Sequence, residues 1–256
     1  MTLIGSVAQC WTFPVKSLQG HFVPWIEIGT TGVAGDRARG LIDVDSGRLL
    51  SAKRISALLD AIGRDGSVEL PDGTVVGWDA PDVDDVLSDW LGRRVHLASP
   101  EPDGTQSYEM TFDPPDDDAE YYEIPTPAGS FLDLAAVHLI TTATLNGAAA
   151  EHPALDWDVR RFRPNLVLDV DGPVLVEQQW LGRRLAIGDQ VVVDGFQPTV
   201  RCAMPLRAQP GLDRQPGLFR AMSELNDEFP NHLGLYASVA EPGRVTTGDP
   251  VVLLDA

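Results

Sequence analysis

The ten residues RFRPNLVLDV, at positions 161–170, show the pattern on which the fold class depends. Charged and polar residues run from Arg161 to Asn165, and the apolar run Leu166-Val167-Leu168 follows them. The apolar run is short, and Asp171-Gly172 then marks a turn, which together predict a strand. We therefore expect a strand over Asn165–Val170 with cationic side chains at its entrance.

Segments of similar length recur along the chain and are separated by turn residues. The turns at Asp45-Ser46-Gly47, Asp72-Gly73 and Asp194-Gly195 favour hairpins and barrels over alternating βαβ units. The sequence therefore predicts a mainly β fold with a few helices (α+β). The candidate strands are Ser6–Phe13, Arg39–Val44, Asn165–Val170, Gln190–Val193, Leu235–Val239 and Val251–Leu254.

Three segments carry apolar residues at helical spacing, which indicates helices that turn one face to the core. Prolines flank the second segment, and a threonine hydroxyl can cap the third. The three segments are Asp82–Leu91, the stretch from Leu218 to Phe229, and one that begins at Thr141 or Thr142 and ends near Glu151.

The composition changes between the two halves of the chain. Residues 101–127 are rich in proline and acidic residues, including Asp116-Asp117-Asp118. This composition predicts an exposed connection between an N-terminal region, residues 1–100, and a C-terminal region, residues 128–256.

The chain has 256 residues and a net charge of −19, from 38 acidic and 19 basic residues. That balance argues against nucleic acid or a membrane surface as the main partner, because both select for basic patches. No apolar run approaches the ~20 residues that a membrane-spanning helix needs. The N-terminus also lacks the basic and apolar parts of a signal peptide. We therefore expect a cytoplasmic protein.

Two cysteines, Cys10 and Cys202, lie far apart in sequence. Free thiols are favoured without a secretion signal, although a single long-range disulfide stays open. The histidines have no metal-ligand spacing with either cysteine, so structural or surface roles are favoured over a zinc site. The chain also lacks a P-loop, a G-x-G-x-x-G motif and the H-E-x-x-H motif.

Four short motifs place cationic or polar residues at strand edges and loops, where a rigid scaffold usually displays functional groups. Each motif taken singly is more simply a solvated charge or a cap. Cys202 differs, because an adjacent guanidinium favours the thiolate that binds soft metals. Neighbours in a strand point to opposite faces, however, which weakens this pairing. The motifs are Pro14-Val15-Lys16-Ser17, Gly35-Asp36-Arg37, Arg161–Asn165 and Arg201-Cys202.

In this order, the four motifs resemble the MOSC family, named for the C-terminal domain of molybdenum cofactor sulfurases. Residues 1 to about 100 resemble the β-barrel region that precedes this domain in the mitochondrial amidoxime-reducing component and its bacterial relatives. The resemblance implies a MOSC β-barrel core over residues 128–256, preceded by a smaller barrel-like region. Further matching segments are Leu139–Leu145, Arg161–Val167, Gln179-Trp180, Leu185–Gly188, Gly234–Tyr236 and Gly243–Asp249.

The resemblance also implies a molybdenum cofactor and the residues that hold it. In the family a cysteine thiolate coordinates molybdenum, while basic and polar residues bind the pterin and its phosphate. Cys202 would be the metal ligand and the catalytic residue, with Arg201 as its neighbouring anchor. The remaining cofactor-binding residues would be Lys16, Ser17, Arg37 and Arg163 at the phosphate, Asn165, Thr141 and Thr144 completing the cradle, and Tyr236 lining the site.

The sequence departs from the family pattern in four places. Thr144 stands where relatives usually have serine, which preserves a hydroxyl, and Val200 replaces a polar residue before Arg201. The segment Ala203–Leu218 lacks the usual Asp-Pro-x-Thr-Gly turn, and the acidic run at 116–118 has no counterpart. These differences bear on substrate and catalytic competence.

The resemblance implies an oxidoreductase that reduces N-hydroxylated small molecules at molybdenum. Its electrons must come from a separate flavin, haem or iron–sulfur protein, because this chain has no signature for such groups and two cysteines cannot hold a cluster alone. Two alternatives stay open. The chain could carry the cofactor, or sulfur as a persulfide on Cys202, without redox chemistry. It could also be a small-molecule binding module with a degenerate site.

Overall fold

The computed structural model describes residues 1–111 and 120–255, in which strands predominate. The strands are β1 (Thr2–Thr12), β2 (His21–Val23), β3 (Trp25–Gly29), β4 (Gly32–Val33), β5 (Gly40–Asp43), β6 (Ile62–Arg64), β7 (Ser67–Glu69), β8 (Val75–Gly77), β9 (Val95–Ala98), β10 (Ser107–Met110), β11 (Tyr122–Pro125), β12 (Val137–Thr141), β13 (Leu166–Val170), β14 (Arg184–Ile187), β15 (Val191–Val200), β16 (His232–Glu241), β17 (Gly243–Thr246) and β18 (Pro250–Leu253). The α-helices are α1 (Val83–Leu91), α2 (Thr142–Glu151), α3 (Val159–Phe162) and α4 (Gly217–Leu225), and short 3-10 helices cover Ser56–Asp60, Val176–Trp180 and Met204–Leu206.

Seven strands form a closed barrel in the order β13-β12-β16-β15-β14-β18-β1, and a β1–β13 pairing completes the ring. The β12–β13 pair is parallel, and the other neighbours in the ring are antiparallel. The long strand β1 closes the barrel because its start pairs with β18 and its later part with β13. The prediction of a mainly β fold with a few helices is confirmed.

The stretch RFRPNLVLDV explains how the barrel is packed. Leu166 and Leu168 point into the barrel interior, whereas Val167 packs outside it against the cluster that contains Phe162 and Met222. A strand covered on both faces needs apolar side chains at successive positions. The run is therefore continuous in hydrophobicity because helices cover the outer face of this strand.

Two of the three predicted helices have the expected ends. Helix α1 follows Asp82 and stops at Gly92, which adopts the left-handed conformation (φ 62°). Helix α2 begins after Thr141, whose hydroxyl accepts from the Thr144 amide at 3.1 Å. No helix in the described part of the chain is long and apolar enough to cross a membrane.

The extension of the second helix to Phe229 was wrong, since α4 ends at Leu225. The Asn226 side chain ends it by accepting a hydrogen bond from the Phe229 amide at 3.0 Å and donating one to the His232 carbonyl at 3.0 Å. Asparagine side chains of this kind offer the backbone a bonded alternative to the helix.

The N-terminal and C-terminal regions interlock in the structure. Strand β1 belongs to the barrel, and β17 near the C-terminus pairs with β3 near the N-terminus. Within the connection, β10 and β11 form an antiparallel pair, and Tyr108 and Met110 of β10 are buried. The acidic run at 116–118 lies outside the described residues. The division at residues 100 and 127 stays a prediction.

The β1–β13 pairing that closes the barrel, here called the barrel seam, leaves no room for a side chain at Gly5 in β1. A Cβ atom at this position would lie 2.0 Å from the carbonyl oxygen of Asp169 in β13. We expect Gly5→Ala to lower the free energy of unfolding by about 3 kcal/mol or more, because backbone must move to relieve the overlap. Urea denaturation followed by tryptophan fluorescence measures the change.

Gly77→Ala in β8 is the matched control, because its new Cβ would meet nothing closer than 3.9 Å. We expect it to change stability by less than about 0.5 kcal/mol. Equal losses in the two variants would contradict the role given to the seam.

Candidate functional site

One cleft gathers most of the residues that the sequence singled out. Of the ten predicted site residues, the eight lining it are Lys16, Ser17, Arg37, Arg163, Asn165, Arg201, Cys202 and Tyr236. They come from loops after β1 and β4, from the α3–β13 junction, from the end of β15 and from the middle of β16. The cleft is further lined by Lys53, Met110, Leu132, Asp133, Leu134, Ala135, His138, Arg161, Phe162, Val200, Met204 and Pro205.

Three of the predicted residues hold unusual backbone conformations. Ser17, Arg37 and Arg163 have φ values of 68°, 51° and 55°, in the left-handed region that disfavours side chains with a Cβ. Such conformations persist where surrounding contacts enforce them, and they concentrate at functional sites. The strain therefore supports a common function for these three positions.

The only two lysines of the chain, Lys16 and Lys53, meet at the carboxylate of Asp133. The Lys53 ammonium lies 2.9 Å from one carboxylate oxygen, and Lys16 binds the other as well as the Phe131 carbonyl. Both ammonium groups also lie over the Tyr108 ring, at 4.2 Å and 4.1 Å from its centre. This arrangement makes a compact cationic corner of the cleft.

Burial sets the proton affinity of this corner. Desolvation lowers the pKa of Lys16 to about 8, with Lys53 and Arg37 acting in the same direction and Asp133 opposing them. Desolvation would raise the pKa of Asp133, but the charges of Lys16 and Lys53 outweigh it and hold that pKa below its usual value. Asp133 therefore stays ionised at neutral pH.

Sequence reasoning missed Lys53 and Asp133. Lys53 follows a turn-rich segment without a motif, and Asp133 is one of 38 acidic residues. The one available signal in the sequence was the rarity of lysine. Because the chain brings both of its lysines to one carboxylate, we infer that their charge has a role at this place.

A second set of contacts joins the two guanidinium groups of the cleft. Arg37 and Arg163 both lie over the Phe13 ring, at 4.5 Å and 4.3 Å. Arg37 pairs with Asp36, which also accepts from the side-chain amide of Asn165 at 3.0 Å. Burial, followed by the charge of Arg37, lowers the pKa of Arg163 to about 9. Asn165 and Asp36 thus tie the loop after β4 to the start of β13.

Arg201 binds the protein itself. Its guanidinium donates to the Leu233 and Phe162 carbonyls at 2.9 Å each and lies 2.6 Å from Nε2 of His138. Burial and the Arg201 charge lower the pKa of His138 well below its usual value, so the imidazole is neutral and can accept. Arg201 therefore fixes the backbone that carries Cys202.

Cys202 is partly buried and free, and it packs between two apolar clusters. Cys10 is also a free thiol but lies fully buried in the barrel core, where burial raises its pKa to about 11. The expectation of free thiols is confirmed, and of the two cysteines Cys202 is the one that lines the cleft.

Thr141 and Thr144 lie outside the cleft lining, and the structure gives both hydroxyls a protein partner. Each donates to the Glu177 carboxylate, at 2.8 Å and 2.5 Å, and all three residues are buried. Desolvation raises the pKa of Glu177, which sequence reasoning did not single out. These two threonines therefore brace the start of α2 against the 3-10 turn at Val176–Trp180.

Asp133 should be essential for stability as well as for the shape of the cleft. In Asp133→Asn the two buried ammonium groups lose their carboxylate, which costs about 3–5 kcal/mol in a fully buried pair. Asp133 is 36% exposed, so water screens part of this, and we expect a loss of about 2 kcal/mol. Chemical denaturation measures it.

Glu123→Gln is the matched control, since Glu123 pairs with Arg48 where both side chains are half-exposed. It should cost less than about 0.5 kcal/mol. A loss as small in Asp133→Asn would show that the two lysines do not depend on this carboxylate.

Anion binding to the cleft should weaken as pH rises through the pKa of Lys16, about 8. Lys16 carries its charge below that pH and loses it above. Between pH 7 and pH 9 we expect sulfate, which does not titrate in this range, to bind about five-fold less tightly. Calorimetric titration measures it, and Lys16→Met should bind weakly at both pH values. A variant that keeps the wild-type pH dependence would exclude Lys16 as its source.

Comparison of the sequence with models of known protein families gives a match to about half of the chain. The family model of the MOSC domain matches residues 127–252. No protein of curated function matches the chain in sequence. The family match leaves residues 1–100 uncovered, so their resemblance to the amidoxime-reducing component stays a prediction.

Two solved structures resemble this chain distantly. The YUAD protein from Bacillus subtilis is 11% identical, with a TM-score of 0.43 over 98% of this chain and 94% of that one. YiiM from Geobacillus stearothermophilus is 16% identical, with a TM-score of 0.37 over 61% and 75% of the two chains. Residues 127–252 are a MOSC domain, and this chain is a member of the MOSC family.

Proposed function

We propose that this protein binds a molybdenum cofactor through Cys202 and uses it to reduce N-hydroxylated small molecules. The observation that carries the proposal is one cleft in which a strongly acidic chain collects Lys16, Arg37 and Arg163 beside a free thiol. An acidic protein has a reason to gather scarce cations when its ligand is an anion, because charge-assisted hydrogen bonds to phosphate are strong.

The residues of the cleft fit such a cofactor. Cys202 is a soft ligand that faces the cleft without a disulfide partner. Among residues 1–111 and 120–255 there is no group of three or more His, Cys, Asp or Glu side chains suited to a metal ion. A metal in this cleft would therefore rely on the thiolate and on ligands that the cofactor brings. When bound, the cofactor would supply an electron-accepting and electron-donating metal with an open coordination position.

The chain's own residues would supply binding and orientation. The anionic phosphate would be held by Lys16, Ser17, Arg37 and Arg163. Asn165 donates to Asp36 and so fixes the loop after β4 that carries Arg37. Arg201 holds the Cys202 backbone through its two carbonyl contacts. The reduction consumes two electrons and two protons and breaks the N–O bond, giving the N–H product and water.

A partner would deliver the electrons, because the sequence has no flavin or haem signature and two cysteines cannot hold an iron–sulfur cluster alone. The cytoplasm stays the location predicted from the sequence. The alternative of a carrier rests on the same partly accessible thiol, which could hold a cofactor transiently or a persulfide sulfur.

Molybdenum content should depend on Cys202. We express the protein in a host that makes the cofactor. The wild-type protein should retain the metal, and the molybdenum content of Cys202→Ala should be at least about ten-fold lower. Cys10→Ala is the matched control, since Cys10 lies in the barrel core and away from the cleft. Plasma mass spectrometry measures the metal. Equal retention in the two variants would rule out Cys202 as the ligand.

Benzamidoxime reduction with a chemical electron donor then separates the candidate functions. The proposed enzyme converts benzamidoxime to benzamidine, and Cys202→Ala does not. Bound molybdenum without reduction, together with a Cys202 peptide heavier by one sulfur atom, would favour the carrier.

A further inference from the structure

An exposed aromatic side chain stands beside the cleft. Phe196 of β15 is 48% exposed and stacks on Tyr236 of β16, with ring centres 6.5 Å apart and planes 21° from parallel. Tyr236 lines the cleft together with Cys202. Covering a large apolar ring that is exposed to water lowers the free energy, so such a ring beside a cleft favours ligand binding there.

The backbone presents Phe196 through a β-bulge. Gly195 pairs with Ala237 and Gln197 pairs with Tyr236, which leaves Phe196 as an extra residue between the two pairs. A bulge interrupts the ladder and redirects a side chain, and bulges occur frequently beside functional sites. The bulge accounts for Phe196 meeting the Tyr236 ring although the two residues are not cross-strand partners.

The Tyr236 ring is held in place on another side. The edge of His138 contacts it, with ring centres 5.7 Å apart and planes at 68°, and Arg201 in turn fixes His138. The Phe196–Tyr236 pair is thus supported by the same residues that position the Cys202 backbone.

Tyr236 is partly exposed, and its hydroxyl has no hydrogen-bond partner among the described residues. Burial raises its pKa well above the usual value, so the hydroxyl is neutral and available to donate. The cleft also has an apolar wall that includes Met110, Leu132 and Leu134, of which Leu134 is 47% exposed. The cleft that holds the thiol therefore also has an apolar wall and the Tyr236 hydroxyl as a free donor, and the Phe196 ring lies next to the cleft, stacked on Tyr236.

We propose that the Phe196–Tyr236 pair is a subsite for the planar aromatic group of a substrate whose polar end accepts a hydrogen bond from the Tyr236 hydroxyl. This inference rests on the proposed function for the reaction, and it specifies the substrate class as aryl N-hydroxylated compounds in preference to alkyl ones. Offset stacking against a fixed ring favours a flat aryl group, whereas a methyl group covers little of Phe196.

The test compares benzamidoxime with acetamidoxime, which carries a methyl group in place of the phenyl ring. Phe196→Ala should raise KM for benzamidoxime about ten-fold, leave kcat unchanged and leave KM for acetamidoxime unchanged. Tyr236→Phe keeps the ring but removes the donor, so it should raise KM for both compounds. Phe22→Ala is the matched control, because Phe22 of β2 is 51% exposed like Phe196, but among the described residues its ring stacks on none that lines the cleft.

Binding without turnover provides an independent readout. Benzamidoxime binding to the cofactor-free protein, measured by saturation-transfer NMR, should weaken in Phe196→Ala and persist in Phe22→Ala. Phe196→Leu keeps an apolar side chain and should be intermediate, which guards against a misfolded alanine variant. Circular dichroism checks that each variant is folded.

The results separate this inference from the proposed function. If wild-type protein reduces both compounds and Phe196→Ala leaves the ratio of their KM values unchanged, the aromatic subsite is overturned and the function stands. If wild-type protein reduces neither compound but binds benzamidoxime in a Phe196-dependent manner, the proposed function fails and the subsite stands. Binding that is independent of Phe196 overturns the subsite in either case.

Discussion

The free-energy cost of removing cations from water is the constraint on which the cleft depends. Lys16, Lys53, Arg161, Arg163 and Arg201 are each at most 8% exposed, although buried charges are costly unless they are paired. The structure compensates them in three ways. Asp133 forms ion pairs with both lysines, aromatic rings lie under several of the cations, and backbone carbonyls accept from Arg161 and Arg201.

The closed barrel makes this compensation possible. Strand β1 pairs with β13, so the loop that carries Lys16 lies next to the loop that carries Arg163. The Arg163 guanidinium donates to the Leu18 carbonyl at 2.6 Å, which joins residues 145 positions apart. Left-handed backbone at Ser17, Arg37 and Arg163 is tolerated because these contacts stabilise it. The same geometry that closes the barrel therefore concentrates positive charge at one place in an acidic chain.

The position of Cys202 follows from neighbouring groups and not from Cys202 alone. The Arg201 guanidinium is not free to bind an anion, because it donates to backbone carbonyls and to the neutral His138. His138 contacts the Tyr236 ring, and Tyr236 contacts Phe196. A continuous series of contacts therefore links Arg201, which holds the Cys202 backbone, to the exposed Phe196 ring. In our proposal, cofactor binding and substrate recognition share this support.

The sequence by itself determined the positions of six strands, the ends of α1 and α2, and the ordered motifs around Lys16, Arg37, Arg163 and Cys202. The six strands are β1, β5, β13, β15, β16 and β18. These features depend on local periodicity, capping and turn chemistry, which are written in neighbouring residues. Only the tertiary structure decided that Lys53 and Asp133 complete the cationic corner, that Thr141 and Thr144 serve Glu177, and that Phe196 stacks on Tyr236. Each of these depends on barrel closure or on a bulge in register, and such long-range pairings leave no periodic trace in the sequence.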